Sequence, residues 1–222
     1  MHRVLFHVLA ISSVATVLAC NVASATVVLP DPLVDESLAS TKGTRTAVLA
    51  GGCFWGIQAV FSHVKGVIDV KAGYAGGSAD SAQYEIVSNG RTGHAESVRI
   101  KYDPSQLTFG QILKVFFSVA HDPTQLNRQG PDTGTQYRSA IFCANAEQKR
   151  IAKAYIDQLD QAKVFPHRIV TEVSTGSSFY QAEDYHQDYA VHHPNEPYIV
   201  INDLPKVANL RKQFPDLYVS KK

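Results

Sequence analysis

Strand-like and helix-like hydrophobic patterns alternate along most of this chain, and this alternation restricts its fold more than any other feature. Alternating apolar residues predict strands over 46–50, 67–74, 94–103, 137–143 and 168–174. Helical spacing predicts helices over 53–64, 81–90, 108–122 and 145–162. This order is typical of an α/β or α+β fold, a sandwich in which helices pack on a mixed sheet. Beyond Ser177 no clear period is visible, which predicts a long irregular C-terminal segment.

The first 25 residues resemble an export signal. A thin basic start precedes a mostly apolar run over 4–19, and the small residues VASA end at Ala25. This pattern predicts a cleaved signal peptide over 1–25, because the apolar run is short for a membrane span. The segment VLAC at 17–20 also resembles a lipobox, in which Cys20 would be lipidated. An exported protein, periplasmic or extracellular, is expected in either case, and a membrane anchor is the alternative.

The following segment, 26–44, carries Pro, Asp, Ser and Thr without periodicity and is predicted to be a flexible linker. The tighter patterns that follow predict a single domain over 45–222. The formal net charge is only +1. Nucleic-acid binding usually needs a strongly basic face, so no nucleic-acid partner is expected.

The cysteine and histidine spacing argues against a metal site. The 3 cysteines include no C-x-x-C pair, which excludes a thioredoxin-like motif and a zinc knuckle. Several histidines and aspartates cluster near the C-terminus, but their spacing fits no standard ligand pattern. These residues are Asp184, His186, Asp188, His192 and His193. We therefore expect no metal and no bound cofactor.

The segment GGCFWG at 51–56 places a cysteine in an unusual setting. Two glycines permit a tight turn from strand to helix, and Cys53 then falls at the first turn of the predicted helix. The positive end of the helix dipole favours a thiolate, so the pKa of Cys53 is expected to fall. Phe54 and Trp55, the latter the only tryptophan, cannot both face the core. At least one of them is expected to line a pocket beside the sulfur, although Cys53 could also be a small core residue.

Five motifs resemble the peptide-methionine sulfoxide reductase A family in order and spacing. They are GCFWG at 52–56, GYAGG at 73–77, GHAESV at 93–98, HDPTQLNRQGPDTGTQYRSAIF at 121–142 and FYQAEDYHQDY at 179–189. The resemblance implies a two-layer sandwich with a ferredoxin-like core and a single catalytic domain over 45–222. It also implies thiol-dependent reduction of the S epimer of methionine sulfoxide, free or in proteins, as a repair reaction.

The resemblance also implies roles for individual residues. Cys53 is the nucleophile that becomes a sulfenic acid, and Glu96 is the acid that protonates the sulfoxide oxygen. Tyr84 and Tyr137 bind that oxygen through their hydroxyls. The family's substrate-binding positions match Phe54, Trp55 and Asp122: the two aromatic side chains hold the S-methyl group, and Asp122 takes the substrate's main-chain amide.

Each of these assignments has a structural alternative. Glu96 could be an exposed charge at the start of a strand, and both Tyr84 and Tyr137 could be half-buried sheet residues. Asp122 could simply cap the turn before Pro123. Within the segment 183–189, the acidic and aromatic residues are expected to brace the site from behind.

This sequence has no cysteine after Cys143, although many members of the family carry recycling cysteines in a C-terminal tail. Cys143 lies six residues beyond Tyr137, roughly 20 Å along a strand. A disulfide needs Cα atoms within about 7 Å. We therefore predict that Cys143 is structural and that the enzyme, expected to be a monomer, uses an external reductant. That reductant is a small thiol or a thioredoxin- or glutaredoxin-like protein.

Two other classes of function remain open at this stage. A thiol hydrolase would need a histidine base, for which His63, His94 and His121 are the candidates. A non-catalytic module could instead bind oxidised or methionine-rich surfaces through the aromatic patch. A hydrolase would form an acyl-enzyme, and a binding module would show no turnover.

Overall fold

The structure is a computed structural model that describes residues 29–220, so the predicted signal peptide lies outside the described residues. The strands are β1 Arg45–Gly51, β2 Val67–Ala75, β3 Ala95–Tyr102, β4 Arg128–Gln129, β5 Asp132–Thr133, β6 Ser139–Cys143, β7 Glu172–Thr175 and β8 Phe179–Gln181. The α-helices are α1 Phe54–Ser62, α2 Tyr84–Val87, α3 Phe109–Val115, α4 Ala146–Gln161, α5 Tyr189–His192 and α6 Leu204–Gln213. One π-helical turn, Phe116–Ala120, continues α3, and another, Ile199–Asp203, precedes α6.

A six-stranded mixed sheet with the order β7-β6-β1-β3-β2-β8 forms one layer of the molecule. Its central four strands are antiparallel, with α1 between β1 and β2 and α3 between β3 and β6. This is the ferredoxin-like arrangement of two interleaved β-α-β units. β7 adds to β6 in parallel, and β8 adds to β2 in antiparallel. The predicted fold class, a mixed sheet with helices packed on it, is confirmed.

The two faces of the sheet differ in what they bury. On β1, Ala47 and Leu49 point into the main core, where they meet side chains of α1, α3 and α4. The alternate residues Val48 and Ala50 point to the other face. There they join a small cluster of alanines and Phe142. The helices therefore cover one face, which gives the two-layer sandwich that the family resemblance implied.

Local capping signals in the sequence fix two helix starts. The Thr108 hydroxyl accepts from Gln111 N, and the Gln111 side chain accepts from Thr108 N, which is a capping box at the start of α3. Asn145 caps α4, accepting from Gln148 N over 2.9 Å. Side-chain caps of this kind satisfy backbone N–H groups that have no partner inside the helix.

The predictions fit less well near the C-terminus. The strand predicted over 168–174 begins only at Glu172, because the preceding backbone bonds to a side chain of α4 and to a loop instead of the sheet. Ile169 N donates to the Asp160 carboxylate, and Val170 N donates to Pro123 O. The segment predicted to be irregular contains β8 and the ten-residue helix α6. Within residues 29–220, no helix is both long and apolar enough to cross a membrane.

The described part of the predicted linker, residues 29–44, contains no helix or strand but lies against the domain. The Asp35 carboxylate accepts from Gly110 N over 2.9 Å, and Glu36 accepts from Phe109 N over 3.1 Å. Leu29 is buried in the main core. Acidic side chains at a helix N-terminus complement its dipole, so this arm stabilises the start of α3.

Candidate active site

The junction between β1 and α1 holds Cys53 in a tight turn. Gly52 adopts φ +98°, and a Cβ there would lie 2.5 Å from the Gln129 side chain. A Cβ on Gly51 would lie 2.8 Å from the His121 ring. Cys53 follows at the N-cap of α1 and is 8% exposed. The two glycines thus serve both the turn and the close approach of neighbouring side chains.

Glu96 lies beside the start of α1, at the level of Tyr74 on the neighbouring strand. Its carboxylate oxygen Oε2 accepts from Phe54 N over 3.1 Å, and the residue is 2% exposed. Burial raises the pKa of Glu96 to about 8; the Phe54 N–H opposes this rise and the charge of Asp132 adds to it. Glu96 is therefore mostly neutral at pH 7, and the alternative of an exposed charge is wrong. Residues 51–56 and Glu96 are called the cysteine floor below.

The thiol of Cys53 behaves differently from the sequence-based expectation. Burial raises its pKa well above the ordinary value, and the charges of Glu96 and Asp203 raise it further. The Trp55 N–H and Lys206 lower the pKa of Cys53, but they do not compensate. The prediction of a lowered pKa is wrong, because desolvation outweighs the effect of the helix terminus.

Tyr84 and Tyr137 reach the same pocket from two different turns. Tyr84 begins α2 and Tyr137 ends the 3₁₀ turn Thr135–Tyr137. Burial raises the pKa of both phenols, and the charges of Glu96 and Cys53 raise it further. Both hydroxyls therefore keep their protons at neutral pH and can donate hydrogen bonds. Neither residue lies in a strand, so the alternative that they are half-buried residues of the sheet is wrong.

Phe54 and Trp55 divide the two sides of the pocket between them. Phe54 is 1% exposed, with its ring centroid 5.1 Å from that of His186. Trp55 is partly buried and stacks on Tyr189 at 3.8 Å between ring centroids, with 8° between the planes. The Trp55 indole N–H donates to His186 Nδ1 over 3.3 Å. Both rings therefore pack against His186, and their assignment to the S-methyl group stays a prediction.

Asp122 does not present a free carboxylate to this pocket. Its oxygens accept from Thr124 N at 2.9 Å, Thr124 Oγ1 at 2.7 Å and Gln125 Nε2 at 3.0 Å. Burial would raise the pKa of Asp122, but these hydrogen bonds and His121 outweigh it, so the pKa is lowered. This geometry is that of the turn cap considered as the alternative.

Asp132 on β5, which the sequence reasoning missed, is an aspartate whose charge reaches Glu96 and Tyr137. Its carboxylate accepts from the Tyr198 hydroxyl. Its charge adds to the raised pKa of both Glu96 and Tyr137, behind burial as the main cause. The signal was present, because Asp132 belongs to the quoted motif that also contains Asp122 and Tyr137.

Residues 183–206 close the pocket and are called the C-terminal wall below. The Glu183 carboxylate accepts from the Tyr74 hydroxyl over 2.8 Å and from Tyr84 N over 2.9 Å. The Gln187 side chain accepts from Ala72 N over 3.0 Å and donates to Ala72 O over 3.1 Å. The wall therefore braces the site from behind, as the sequence predicted for 183–189, and it extends further, to Tyr198 and Asp203.

The histidines proposed as hydrolase bases are bonded elsewhere. His121 Nε2 lies 2.7 Å from Ser139 Oγ, and burial lowers its pKa to about 3. His94 Nε2 lies 2.9 Å from Ser78 O, and His63 Nδ1 lies 2.8 Å from Ala59 O. Among the described residues, no hydrogen bond joins a histidine to Cys53. The same part of the chain contains no group of three or more His, Cys, Asp or Glu side chains placed to hold a metal ion.

Cys143 lies toward the opposite end of the sheet from Cys53. The two thiols are free and buried. Gly51, at the end of β1, pairs with Ser139, whereas Cys143 lies four residues further along β6. Four strand residues span about 13 Å, and Cys53 continues in the other direction, so a disulfide between the two is excluded without rearrangement.

A ferredoxin-like sandwich with a buried thiol, a neutral carboxyl and no histidine base at the sulfur points to a thiol-based reductase. The family model described as peptide methionine sulfoxide reductase matches residues 45–218. The chain is 63% identical over 187 residues to peptide methionine sulfoxide reductase MsrA 2 of Mesorhizobium japonicum, covering 84% of this chain and 95% of that protein. It is 54% identical over 191 residues to MsrA 2 of Synechocystis sp., covering 85% and 89%.

Among solved structures, reduced Mxr1 of Saccharomyces cerevisiae matches with a TM-score of 0.61 and 32% identity, covering 72% of this chain and 94% of that chain. The chain belongs to the peptide methionine sulfoxide reductase family. It is an oxidoreductase that reduces methionine sulfoxide, and the thiol hydrolase and the non-catalytic binding module are excluded as its main function.

Proposed function

We propose that Cys53 reduces the S epimer of methionine sulfoxide with Glu96 as the proton donor. The Cys53 sulfur attacks the sulfoxide sulfur and forms an S–S bond while Glu96 protonates the sulfoxide oxygen. The hydroxyl then moves to the Cys53 sulfur as the S–O bond of the substrate and the new S–S bond both break, so the thioether leaves and Cys53 becomes a sulfenic acid. The thiol proton restores Glu96, so the net step converts a thiol and a sulfoxide into a sulfenic acid and a thioether.

One observation carries this proposal: a buried, mostly neutral carboxyl is anchored at 3.1 Å to the N–H next to Cys53. The sulfoxide oxygen is a poor leaving group unless it is protonated, and a positioned acid typically contributes roughly 10²–10⁴-fold. Because Cys53 and Glu96 are both mostly protonated at neutral pH, the proton reaches the oxygen without an ionised pair having to be buried.

Substrate binding is assigned to the rest of the pocket. Tyr84 and Tyr137 donate hydrogen bonds to the sulfoxide oxygen, and Phe54 and Trp55 hold the S-methyl group. The stacking of Trp55 on Tyr189 supports a rigid apolar surface. Asp122 is not used, because its carboxylate already accepts three hydrogen bonds in its own turn.

The amide of a peptide substrate is assigned to Asp132 instead. Its carboxylate is oriented by the Tyr198 hydroxyl, and its charge reaches Glu96. Free methionine sulfoxide and oxidised methionine in proteins are both substrates in this proposal.

Recycling is proposed to follow the single-cysteine route. An external thiol attacks the sulfenic acid, releasing water and leaving a mixed disulfide on Cys53. A second thiol then attacks the external sulfur, which forms a free disulfide and restores Cys53. The separation of Cys143 along β6 and the lack of any later cysteine support this route. The reductant is a thioredoxin- or glutaredoxin-like protein or a small thiol.

Mass spectrometry after a single turnover tests the reaction and the route together. The protein is mixed with methionine (S)-sulfoxide without reductant, and the peptide that contains Cys53 is weighed. A gain of one oxygen on Cys53 is expected. A loss of two hydrogens shared with Cys143 contradicts the single-cysteine route, and an unchanged Cys53 contradicts the reaction.

Export and a monomeric state complete the proposal. The apolar run over 4–19 and the small residues before Thr26 support cleavage after Ala25, with lipidation of Cys20 as the second possibility. N-terminal sequencing of the protein recovered from its host distinguishes the two, and an unprocessed Met1 in the cytoplasmic fraction contradicts export. Light scattering of the purified protein tests the monomer.

A further inference from the structure

An ion pair lies against the first turn of α1, and the reaction scheme above does not use it. Lys206 Nζ donates to Asp203 Oδ1 over 3.1 Å. Asp203 is 0% exposed, and the Lys206 side chain is 18% exposed. A Cβ on Gly56 would lie 2.7 Å from Lys206 Nζ and even closer to the Asp203 carboxylate. Glycine at position 56 is therefore what lets this pair approach the helix.

The ion pair is about one helical turn from the reactive sulfur. Gly56 follows Cys53 by three residues, and residues three apart lie on the same face of a helix. Burial and Glu96 are the main causes that raise the pKa of Cys53; Asp203 adds to them, and Lys206 acts in the opposite direction.

Lys206 is the cationic side chain that acts on Cys53 among the groups of residues 29–220. The remaining groups that face the Cys53 sulfur are the Trp55 N–H and four tyrosine hydroxyls. A negative charge on Cys53 raises the pKa of each of these tyrosines. These are Tyr84 on α2, Tyr137 on the 3₁₀ turn, and Tyr189 and Tyr198 in the C-terminal wall. The charge of Lys206 also lowers the pKa of His121, behind burial as the main cause.

The Asp203–Lys206 pair is not expected to contribute much to the free energy of unfolding. Burying a carboxylate and an ammonium costs solvation that their attraction often does not recover. Asp203 Oδ2 is moreover buried without a hydrogen-bond partner in the described part of the chain. A buried polar atom without a partner needs an explanation, and a role in the reaction is one such explanation. Because the pair lies next to Cys53, its role is to be sought in the chemistry of that thiol.

We infer that Lys206, held in place by Asp203 over Gly56, is the counter-charge of the Cys53 sulfur whenever that sulfur is anionic. The inference rests on the proposed function and adds a positioning pair to it. The last recycling step needs this charge most. There an external thiolate attacks the outer sulfur of the mixed disulfide, the S–S bond breaks, and its electron pair leaves on Cys53. A thiol of lower pKa leaves faster, so Lys206 accelerates its release.

The test follows alkylation of Cys53 by iodoacetamide in the full chain, without any sulfoxide, by mass spectrometry of the Cys53 peptide. Only the thiolate reacts, so the rate at a fixed pH reports the thiolate fraction. In Lys206→Met we expect the pH midpoint to rise by about one unit and the rate at pH 8 to fall about tenfold. Lys206→Arg should keep the rate of the wild-type chain. Lys212→Met, which changes an exposed lysine on the same helix, should also leave it unchanged.

A second variant, Lys206→Gln, keeps the inference testable if Lys206→Met does not fold. Lys206→Gln removes the charge but keeps an amide that can donate to Asp203, and the same slowing is expected. Release of glutathione from a Cys53–glutathione disulfide by dithiothreitol should slow to a similar degree. An alkylation rate equal to that of the wild-type chain in a folded Met or Gln variant overturns the inference. That result would not affect the proposed reaction. The proposed reaction is contradicted only if Cys53 of the wild-type chain gains no oxygen from the sulfoxide.

Discussion

The cysteine floor and the C-terminal wall meet in one pocket but are built in opposite ways. The floor consists of the end of a strand, the start of a helix and a neighbouring strand, and backbone hydrogen bonds fix its geometry. The wall contains mostly short helical turns and is held by side chains, among them Glu183 and Gln187. The reacting groups Cys53 and Glu96 lie on the floor.

This difference has a functional consequence. Groups that must be placed within a fraction of an ångström lie on regular elements, because rigid backbone holds them best. The wall instead orients Trp55 and braces Tyr84. Changes in the floor should therefore affect the chemical step, and changes in the wall should affect substrate binding and stability, apart from Asp203 and Lys206, which act on Cys53.

The largest effect is expected for Cys53→Ser, which removes the nucleophile from the floor. Methionine formation should fall to the level seen with dithiothreitol alone, because a serine hydroxyl is too hard and too basic to attack the sulfoxide sulfur. Chromatography of free methionine measures this. Circular dichroism of the variant is the control for folding. Turnover above the background by a folded serine variant would place the chemistry elsewhere.

Glu96→Gln comes next and probes the second reacting group of the floor. The single-turnover rate should fall by roughly 10²–10⁴-fold, because the amide cannot donate a proton to the leaving oxygen. The neutral form of Glu96 is the active one, so the wild-type rate should decline as pH rises through about 8. The variant should lack this decline. A variant that shows the same decline would assign it to another group.

Gln187→Ala tests how the wall is fastened. Without the Gln187 amide, the buried N–H of Ala72 loses its partner, and the C=O of Ala72 keeps only the N–H of Ala182. The free energy of unfolding should fall by about 2–3 kcal/mol, measured by urea denaturation. Gln161→Ala, at the exposed end of α4, is the matched control and should change little. Equal stability of the two variants would mean that the wall does not depend on this side chain.

Tyr189→Leu removes the ring that stacks on Trp55 while keeping an apolar side chain. An aromatic stack contributes about 0.5–1.5 kcal/mol beyond its area, so KM for the sulfoxide should rise up to about tenfold. The kcat should stay within about twofold, because the reacting groups are untouched. Steady-state kinetics with excess dithiothreitol separates the two. A fall in kcat with constant KM would contradict the division between floor and wall.

The smallest effect on activity is expected for Cys143→Ser, outside both regions. Burial raises the pKa of Cys143 to about 11, so its thiol is unreactive at neutral pH. Multiple turnover with dithiothreitol should remain near the wild-type rate. A folded variant that stops after one turnover would show that Cys143 takes part in recycling.

Much of the floor could be predicted from the sequence. The strand and helix periods located β1, α1 and β3 within a few residues, and the GGC segment predicted the turn that exposes Cys53 to a ligand. The pKa of Cys53 could not be predicted in this way. The helix-terminus rule is local, whereas the charges of Glu96 and Asp203 come from residues 43 and 150 positions away in the chain.

Which aspartate, Asp122 or Asp132, faces the site could likewise not be predicted from the sequence. Both aspartates belong to one motif, and residue type alone did not distinguish them. Only the folded chain shows that Thr124 and Gln125 occupy the first carboxylate, while Tyr198 orients the second toward the site. Segment 26–44 was likewise predicted to be a linker for lack of a period, yet Asp35 and Glu36 cap α3. A cap needs only single side chains, which leave no periodic signal.

The sequence by itself determined the order of strands and helices, the helix caps at Thr108 and Asn145, and the chemistry available at Cys53. These follow from short-range sterics and hydrogen bonding, which depend on residues close together in the chain. Tertiary structure alone decided that Glu96 is mostly neutral and the Cys53 thiol protonated at neutral pH, and which distant side chains face them. Those properties depend on how completely the folded chain excludes water, and desolvation is summed over neighbours from every part of it.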